Sequence, residues 1–218
     1  MSKQEYFAPR LGAEAKIELV NWHGRQAISK RRERKEYRNM DLDSFLLAKR
    51  TREEAHILHM AKLSGVDCPE VYFADPDAFE IVMEYIPGYL LKDLETNKLL
   101  EKKKLDSVYK TLGTYAERLH SSKIIHGDLT TKNVILSGER VRLIDFGLSF
   151  LSERTEDMAE DLHLLKQALR STLGPERSKK VFDLVLSGYS ASCSKHTFKS
   201  LLKQIASVEA RGRYARVD

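Results

Sequence analysis

The chain has 218 residues, of which 42% are hydrophobic and 32% are charged. This length suits one large domain or two small lobes, and the apolar content is enough for a hydrophobic core. No run of about 18 apolar residues occurs, and residues 1–12 lack the apolar centre of a signal peptide. We therefore expect a soluble, cytoplasmic protein without a membrane segment. The two cysteines match no metal-ligand spacing and are interpreted as reduced thiols.

Basic residues exceed acidic ones, 37 against 32, and the excess is concentrated in two places. One cluster occupies residues 29–38, and the other is a C-terminal tail with Arg211, Arg213 and Arg216. Most charge runs are solvated surface. Two separate clusters nevertheless make an anionic partner, RNA above all, a hypothesis for this chain.

A long helix is predicted between residues 42 and 63, where apolar residues recur at helical spacing. Leu42 and Phe45 belong to the predicted apolar face of this helix. Asp41 and Asp43 are the expected N-terminal caps. The helix would be the single long one in a lobe that is otherwise rich in β-strands.

Four strands are predicted around this helix. Residues 21–24 and 75–78 carry turn signals, and each turn lies between two strand-like runs. The predicted strands cover residues 16–20, 25–29, 70–74 and 79–86.

The second half of the chain is predicted to be mainly helical. Pro87 and Gly88 mark a boundary after the last of these strands. The fold class is therefore α+β with two lobes, a β-rich lobe over residues 1–86 and a helical lobe over residues 87–218. Apolar periodicity predicts helices at 105–122, 158–174, 176–187 and 194–210.

The stretch IIHGDLTTKNVIL (124–136) places Asp128 and Asn133 in a polar loop between two strand-like runs. Asp145 follows at the end of the next short strand, within IDFG. Oxygen-bearing side chains at strand ends can converge on one cleft, and oxygen ligands suit Mg²⁺ when substrate phosphates complete its shell. Asn133 and Asp145 are thus candidate metal ligands, which leaves Asp128 to orient an attacking hydroxyl or water.

This pattern resembles the protein-kinase motif set. HGDLTTKN stands in the place of H-R-D-x-x-x-x-N, and Asp145 begins D-F-G. The resemblance implies that Lys30, at the end of the second strand, holds the α and β phosphates. It also implies that Glu54 on the long helix forms the ion pair with that lysine, with the neighbouring Glu53 left open as an alternative.

The same resemblance assigns further positions. The hinge, MEYI (83–86), would contact adenine through the backbone, with Glu84 and Ile86 as the contact positions. Asp161 resembles the helix aspartate that braces the catalytic loop. His126 is interpreted as a structural residue of that loop rather than as an acid–base group.

Several departures separate the chain from ordinary kinases. The phosphate-covering loop has a single glycine, Gly12, and the arginine that usually follows the catalytic-loop histidine is replaced by Gly127. Thr130 replaces a usual lysine, few residues separate Gly147 from the helix near Asp157, and no A-P-E motif appears. A chain without a full activation segment is poorly equipped to hold an extended peptide.

Four stretches point to one atypical branch of kinases. Together they resemble the small atypical kinase subunit of the KEOPS complex, the PRPK type in its compact archaeal form. Met40 departs from the proline that is usual for that family. The four stretches are GAEA (12–15), SKRRERKEYRNMDLD (29–43), HGDLTTKN (126–133) and IDFGLS (144–149).

This resemblance implies that the chain binds ATP and Mg²⁺, with Gly12 and Ala13 in a reduced phosphate loop. It implies Ser/Thr protein kinase and ATPase activity that supports threonylcarbamoylation of adenosine 37 in tRNA. The implied partners are the tRNA threonylcarbamoyl-transferase subunit of KEOPS, on the C-lobe, and a Cgi-type KEOPS subunit, on the N-lobe. The tail residues Arg211, Arg213 and Arg216 would reach toward tRNA and the transferase.

Three alternatives remain open. An aminoglycoside-type small-molecule phosphotransferase shares H-G-D-x-x-x-x-N, but it usually has a larger C-lobe with an acidic substrate pocket. A RIO-type ribosome-maturation kinase also lacks the activation segment, but it normally carries extra N-terminal helices or a winged-helix domain. A catalytically inactive scaffold would not need the full set of Lys30, Glu54, Asp128, Asn133 and Asp145.

Overall fold

The structure, a computed structural model, describes residues 15–35, 39–97 and 99–214. Gly12 and Ala13, predicted for the phosphate loop, and Arg216 of the tail lie outside the described residues. Within the described part of the chain, no helix combines the length and the apolar character needed to cross a membrane.

A four-stranded antiparallel sheet forms the first lobe, in which the first, second, fourth and third strands of the chain lie side by side in that order. The Asn21 side chain closes the first turn by accepting a hydrogen bond from the Gly24 N–H at 2.8 Å. The Asp75 side chain closes the second by accepting from the N–H groups of Asp77 and Ala78. Both hairpins therefore form where short polar side chains predict them. The elements are β1 (Ala15–Trp22), β2 (Arg25–Arg32), α1 (Met40–Leu63), β3 (Val71–Asp75) and β4 (Glu80–Glu84).

Helix α1 begins at a different cap from the predicted one. Asn39 is the N-cap, and its side chain accepts hydrogen bonds from the N–H groups of Asp41 and Leu42. The prediction that Asp41 and Asp43 cap the helix is therefore wrong. Asp43 instead turns inward and accepts a hydrogen bond from the Lys35 N–H at 3.0 Å.

The buried face of α1 also differs from the prediction in the first two turns. Leu42 and Phe45 are 54% and 66% exposed. Contact with β3 and β4 selects the buried face, and this face directs Glu54 toward Lys30 of the sheet. The buried residues of the helix are Asp43, Leu47, Thr51, Glu54, Ile57, Leu58 and Ala61.

The second lobe is mainly helical, as the sequence predicts. Its helices are α2 (Leu91–Thr96), α3 (Lys102–Ser121), α4 (Thr155–Leu173), α5 (Pro175–Ser190) and α6 (Lys195–Tyr214). Its short strands are β5 (Tyr89–Leu90), β6 (Ile124–Ile125), β7 (Val134–Ser137), β8 (Arg140–Leu143) and β9 (Phe150–Leu151). Strands β5, β7 and β8 form one sheet, and β6 pairs with β9. The division of the chain into lobes at residues 86 and 87 stays a prediction.

Helices α3 and α5 pack at very short range because each carries a glycine at the contact. A Cβ on Gly113 would lie 1.9 Å from the Val185 carbonyl oxygen, and one on Gly188 would lie 1.9 Å from the Lys110 carbonyl oxygen. These distances leave no room for a side chain. The two glycines therefore set the spacing of this helix pair, and α3 in turn packs against β6, which leads into the polar loop at 126–133.

Alanine at Gly188 tests this contact. In an exposed helix, replacing glycine by alanine stabilises the protein by up to about 1 kcal/mol. At Gly188 we expect the opposite sign, a loss of about 1–3 kcal/mol in the free energy of unfolding, because the added methyl group overpacks the contact. Ser187→Ala, at an exposed position of the same helix, is the matched control and should change the free energy by less than about 0.5 kcal/mol. Urea unfolding followed by circular dichroism measures both, and wild-type stability of Gly188→Ala would contradict the close contact.

Candidate active site

The loop after β6 holds Asp128 and Asn133 against each other. The Asn133 Nδ2 donates to the Asp128 carboxylate at 2.8 Å and to its backbone oxygen at 2.9 Å. A 3₁₀ turn (Thr131–Asn133) and strand β7 position Asn133, whose backbone oxygen accepts from the Ile144 N–H at 2.9 Å. Because the amide nitrogen is directed at Asp128, the Asn133 Oδ1 is the atom left for a further ligand.

Asp161 of α4 anchors this loop through its backbone. Its carboxylate is 1% exposed and accepts hydrogen bonds from the N–H groups of His126 at 2.8 Å and Gly127 at 2.9 Å. The His120 Nε2 lies 3.3 Å from the same carboxylate. Burial alone would raise the pKa of Asp161, but the interactions with His120 and His126 outweigh burial, and the pKa lies below its ordinary value. An ionised, buried carboxylate therefore occupies the bracing position predicted for Asp161.

His126 and Gly127 join the loop to the D-F-G segment. The His126 ring is buried and packs on Phe146 with 4.7 Å between the ring centroids, and its Nδ1 accepts from the Asp128 N–H at 3.4 Å. Gly127 has a φ of +77°, and a Cβ there would lie 2.3 Å from the Leu148 carbonyl oxygen. The chain thus needs glycine at the position where ordinary kinases carry arginine, because the segment after D-F-G lies directly against it.

Lys30 of β2 binds one carboxylate from each lobe, so its bond to Asp145 connects the two lobes. Its Nζ donates to Glu54 Oε1 and to Asp145 Oδ1, both at 2.7 Å. Burial by itself lowers the pKa of the Lys30 ammonium, but the charges of Glu54 and Asp145 outweigh burial and raise the pKa above its ordinary value. For Asp145, burial acts to raise the pKa, and the Lys30 charge and hydrogen bond bring it below its ordinary value. Lys30 and Asp145 are therefore both ionised at neutral pH.

The geometry distinguishes the two glutamates that the sequence left open. Glu54 is 2% exposed and faces β2, where Lys30 meets it. The Glu53 side chain is 54% exposed and lies 3.7 Å from Lys49 on the outside of α1. Glu54 is therefore the ion-pair partner of Lys30 in this structure, because adjacent residues of a helix point in different directions.

A cavity between the sheet and the second lobe opens beside these residues. Its polar end carries Lys30, Glu54, Asn133 and Asp145. An apolar slot that ends in charged groups suits a flat base joined to a phosphate chain. The apolar walls come from both lobes and consist of Ile17, Ile28, Leu58, Met83, Ile86, Leu90, Ile135 and Ile144.

An arginine fixes the predicted hinge at one end of this cavity. Arg142 of β8 donates from Nη2 to the Glu84 carboxylate at 2.6 Å and to the Cys68 carbonyl oxygen at 3.1 Å. Its Nε lies 2.6 Å from Asp67 Oδ1. Burial acts to raise the pKa of Glu84, and the bond from Arg142 brings it below its ordinary value. Glu84 and Ile86, the two predicted contact positions of the hinge, both line the cavity.

The two predicted metal ligands, Asn133 and Asp145, both line the cavity. Among residues 15–35, 39–97 and 99–211, no three His, Cys, Asp or Glu side chains gather in a way that could hold a metal ion. One carboxylate and one amide oxygen are a sparse set, of the kind that holds Mg²⁺ when substrate phosphates supply further oxygens. The residues present therefore fit Mg²⁺ together with a nucleotide.

Arg211, the tail arginine whose side chain the structure describes, is not among the residues that line the cavity. Arg211 lies on α6, and its Nη2 is 2.7 Å from Glu156 Oε1 in the first turn of α4. The Arg213 side chain and Arg216 lie outside the described residues. The tail is helical as far as Tyr214, so its first arginine is held on the lobe rather than on a free end.

Comparisons with known proteins agree with this geometry. Residues 17–172 match the protein kinase domain family. The KEOPS complex subunit Bud32 of Pyrococcus abyssi is 39% identical over 209 residues, which cover 93% of this chain and 94% of that protein. The chain belongs to the Bud32 family of kinases. The resemblance to a KEOPS kinase subunit is thereby confirmed.

Other relatives of this Bud32-family chain are longer or more distant. A probable bifunctional tRNA threonylcarbamoyladenosine biosynthesis protein of Methanobrevibacter smithii is 38% identical over 203 residues, which cover 93% of this chain but only 36% of that protein. The solved Rio2 kinase–ADP/Mg²⁺-phosphoaspartate complex of Chaetomium thermophilum has a TM-score of 0.57 and 17% identity, covering 98% of this chain and 73% of that one. This second likeness shows the fold alone, and it confirms the predicted two-lobed α+β class.

Two arginines of this Bud32-family site were not predicted. Arg32 donates from Nη2 to Glu54 Oε2 at 2.6 Å, and Arg142 holds the hinge. Arg32 had two signals: it lies in the stretch 29–43 that carries the family resemblance, and its position two residues after Lys30 places both on the same side of a strand. Arg142 had no signal, because its partners are distant in sequence.

Asp161→Asn tests the anchor of the catalytic loop. Because the folded pKa of Asp161 is depressed, its ionised form stabilises the fold at pH values above the ordinary pKa of 3.8, and this contribution is lost as the pH falls through the lower folded pKa. We expect Asp161→Asn to lower the free energy of unfolding by about 1–3 kcal/mol at pH 7. Because Asn does not titrate, the difference from wild type should shrink below the ordinary pKa.

Urea unfolding at neutral and acidic pH measures this difference. Asp183→Asn, at an exposed position of α5, is the matched control and should follow the wild-type curve. An Asp161→Asn deficit that stays constant down to the acid limit would show that the charge of Asp161 contributes nothing.

Proposed function

We propose that this Bud32-family chain binds ATP with Mg²⁺ between its lobes and transfers the γ-phosphoryl group to water or to a seryl or threonyl hydroxyl. Family membership makes the chain a kinase-type phosphotransferase or ATPase, and the acceptor and the residue roles are the proposal. The observation that carries it is the Lys30 Nζ, held 2.7 Å from both Glu54 and Asp145 at the polar end of the cavity.

Lys30 would contact the α and β phosphates. Its raised pKa keeps it charged at neutral pH, and Glu54 fixes the direction of its Nζ. Phosphoryl transfer is catalysed mainly by positioning and by stabilising the charge of the phosphoryl oxygens. A buried ammonium fixed by a carboxylate from the neighbouring helix meets both requirements.

Asn133 Oδ1 and Asp145 would hold Mg²⁺, which neutralises charge on the triphosphate when it is bound. Asp128 holds the Asn133 amide through Oδ2, and its other carboxylate oxygen is available to align the attacking group. Asp161 supports both residues, because it fixes the backbone at Gly127, directly before Asp128. Gly12, Ala13, Glu84 and Ile86 stay proposed nucleotide contacts, the last two through the hinge backbone.

The short segment after D-F-G favours water as the acceptor. Between Gly147 and the start of α4 at Thr155, the described structure consists of a turn and β9, which pairs with β6. This segment offers no long platform on which a peptide could extend beside the nucleotide. Water is therefore the acceptor that we infer first, and a protein hydroxyl is the second.

Alanine at Asp128 or Asp145 tests the proposed chemistry. We expect each variant to lose phosphate release from Mg-ATP by about 10²-fold or more, because one removes the aligning carboxylate and the other a metal ligand. Chelation of Mg²⁺ should abolish the wild-type activity. Asp183→Ala, at an exposed position of α5, should keep it, and circular dichroism should show that all variants are folded. If Asp145→Ala released phosphate at the wild-type rate, the metal assignment would be wrong.

We further infer that the chain acts in tRNA threonylcarbamoyladenosine biosynthesis as a KEOPS subunit. The names of the relatives support this, one as a KEOPS subunit and one as a bifunctional protein of that biosynthesis. The proposed partners are the tRNA threonylcarbamoyl-transferase subunit, on the helical lobe, and a Cgi-type subunit, on the β-rich lobe. Arg211, Arg213 and Arg216 are the proposed contacts to tRNA or the transferase.

Purification of the tagged chain from its native host tests the partners. We expect the transferase subunit and tRNA to accompany it. A variant with Arg211, Arg213 and Arg216 changed to Ala should retain less tRNA, because fewer cations remain to contact phosphates. Mass spectrometry and quantification of bound RNA are the measurements. Recovery of neither the transferase nor tRNA would contradict the assignment to KEOPS.

A further inference from the structure

Strand β2 presents two cations, not one, to helix α1. Alternate residues of a strand point to the same side, so Lys30 and Arg32 both face α1 and Arg31 faces the other way. Arg32 is 6% exposed, whereas Arg31 is exposed. The proposed chemistry uses Lys30 and assigns nothing to this buried arginine.

The two cations occupy both oxygens of one carboxylate. Arg32 Nη2 donates to Glu54 Oε2 at 2.6 Å, and Lys30 Nζ donates to Glu54 Oε1 at 2.7 Å. Among the described residues, Glu54 is the carboxylate within ion-pair distance of the Arg32 guanidinium, and the buried Arg32 Nε has no hydrogen-bond partner there. The Arg32 guanidinium also lies close to the D-F-G segment, because its Nη2 is 3.6 Å from the point where a Cβ on Gly147 would stand.

Nucleotide binding must change these contacts. In the described arrangement Lys30 also donates to Asp145 at 2.7 Å. If Asp145 turns to a metal ion and Lys30 to phosphate oxygens, the bond between them is lost, and Lys30 shares its charge between Glu54 and the phosphates. A buried carboxylate needs a closely paired cation. Arg32 is placed so that Glu54 keeps a second ion pair that does not involve the nucleotide.

We propose that Arg32 is a positioning residue, which holds Glu54 and with it α1 in place while Lys30 and Asp145 are engaged by nucleotide and metal. This rests on the proposed nucleotide-binding function. Arg32 acts through Glu54 and does not touch the reacting atoms. The chain thereby fixes α1 from its own strand β2, without a contribution from a long activation segment.

Steady-state ATP hydrolysis tests this role. Arg32→Met keeps the length of the apolar stem and removes the charge, and we expect kcat to fall at least tenfold while the KM for ATP changes less than threefold. Arg32→Lys keeps the charge on a shorter chain without the planar fork, so we expect it to restore kcat only in part. Arg31→Met, one residue away on the exposed side of β2, is the matched control and should stay within twofold of wild type.

Amide hydrogen exchange gives a readout that does not depend on turnover. In wild type, Mg-ADP should protect residues 50–58 of α1 as well as the catalytic loop at 126–133. In Arg32→Met we expect the protection of the loop to remain and that of α1 to be lost. If wild type gained no protection anywhere with Mg-ADP, the proposed nucleotide binding would fail, whatever the role of Arg32.

Two outcomes would overturn the role of Arg32. One is wild-type kcat together with full protection of α1 in Arg32→Met. If Arg32→Met does not fold, Arg32→Lys decides instead, and wild-type kcat together with wild-type protection of α1 in that variant would overturn the role. A loss in which kcat and protection of the loop and of α1 fall together would indicate a general structural role and would also contradict the proposal.

Discussion

One buried carboxylate, Glu54, holds together the part of the site that the β-rich lobe contributes. It is 2% exposed and binds Lys30 through one oxygen and Arg32 through the other. A carboxylate in this position would be unstable without both a cation and hydrogen bonds. This single group therefore constrains helix α1 relative to the β-sheet. Through Lys30 and Asp145 it also constrains the D-F-G segment.

A second buried carboxylate, Asp161, organises the part of the site that the helical lobe contributes, and its partners are of a different kind. Asp161 binds two backbone N–H groups and a histidine rather than strong cations. Because backbone groups are fixed by the chain itself, this anchor sets the path of the catalytic loop and leaves the Asp128 side chain unconstrained by α4. The contact between Gly127 and Leu148 then keeps the segment after D-F-G against the same loop. Glu54 thus fixes the Lys30 Nζ, and Asp161 fixes the backbone of the loop that carries Asp128.

The connection between the lobes is ionic at the hinge and apolar in the cavity. Arg142 reaches from the second lobe to Glu84 at 2.6 Å and to Asp67 at 2.6 Å, while aliphatic residues from both lobes form the walls of the slot. An arginine can hold two carboxylates at once because its donors are spread over a planar fork. The hinge is therefore held by ion pairs, whereas the walls of the slot present apolar side chains. This arrangement suits a small kinase of the Bud32 family, which has a short segment after D-F-G.

The sequence by itself determined most of the elements of this protein and the residues proposed to carry its chemistry. Strand alternation, helical periodicity and turn residues predict both hairpins and the long helices, and the spacing of Asp128, Asn133 and Asp145 predicts the cleft, because local propensities and short-range spacing are properties of the chain. Only the tertiary structure decided which glutamate of α1 meets Lys30 and which side of α1 is buried at Phe45. It alone revealed Arg32 and Arg142 at the site. These depend on the direction of a side chain relative to elements far away in sequence, and packing against those elements, rather than the local pattern, sets that direction.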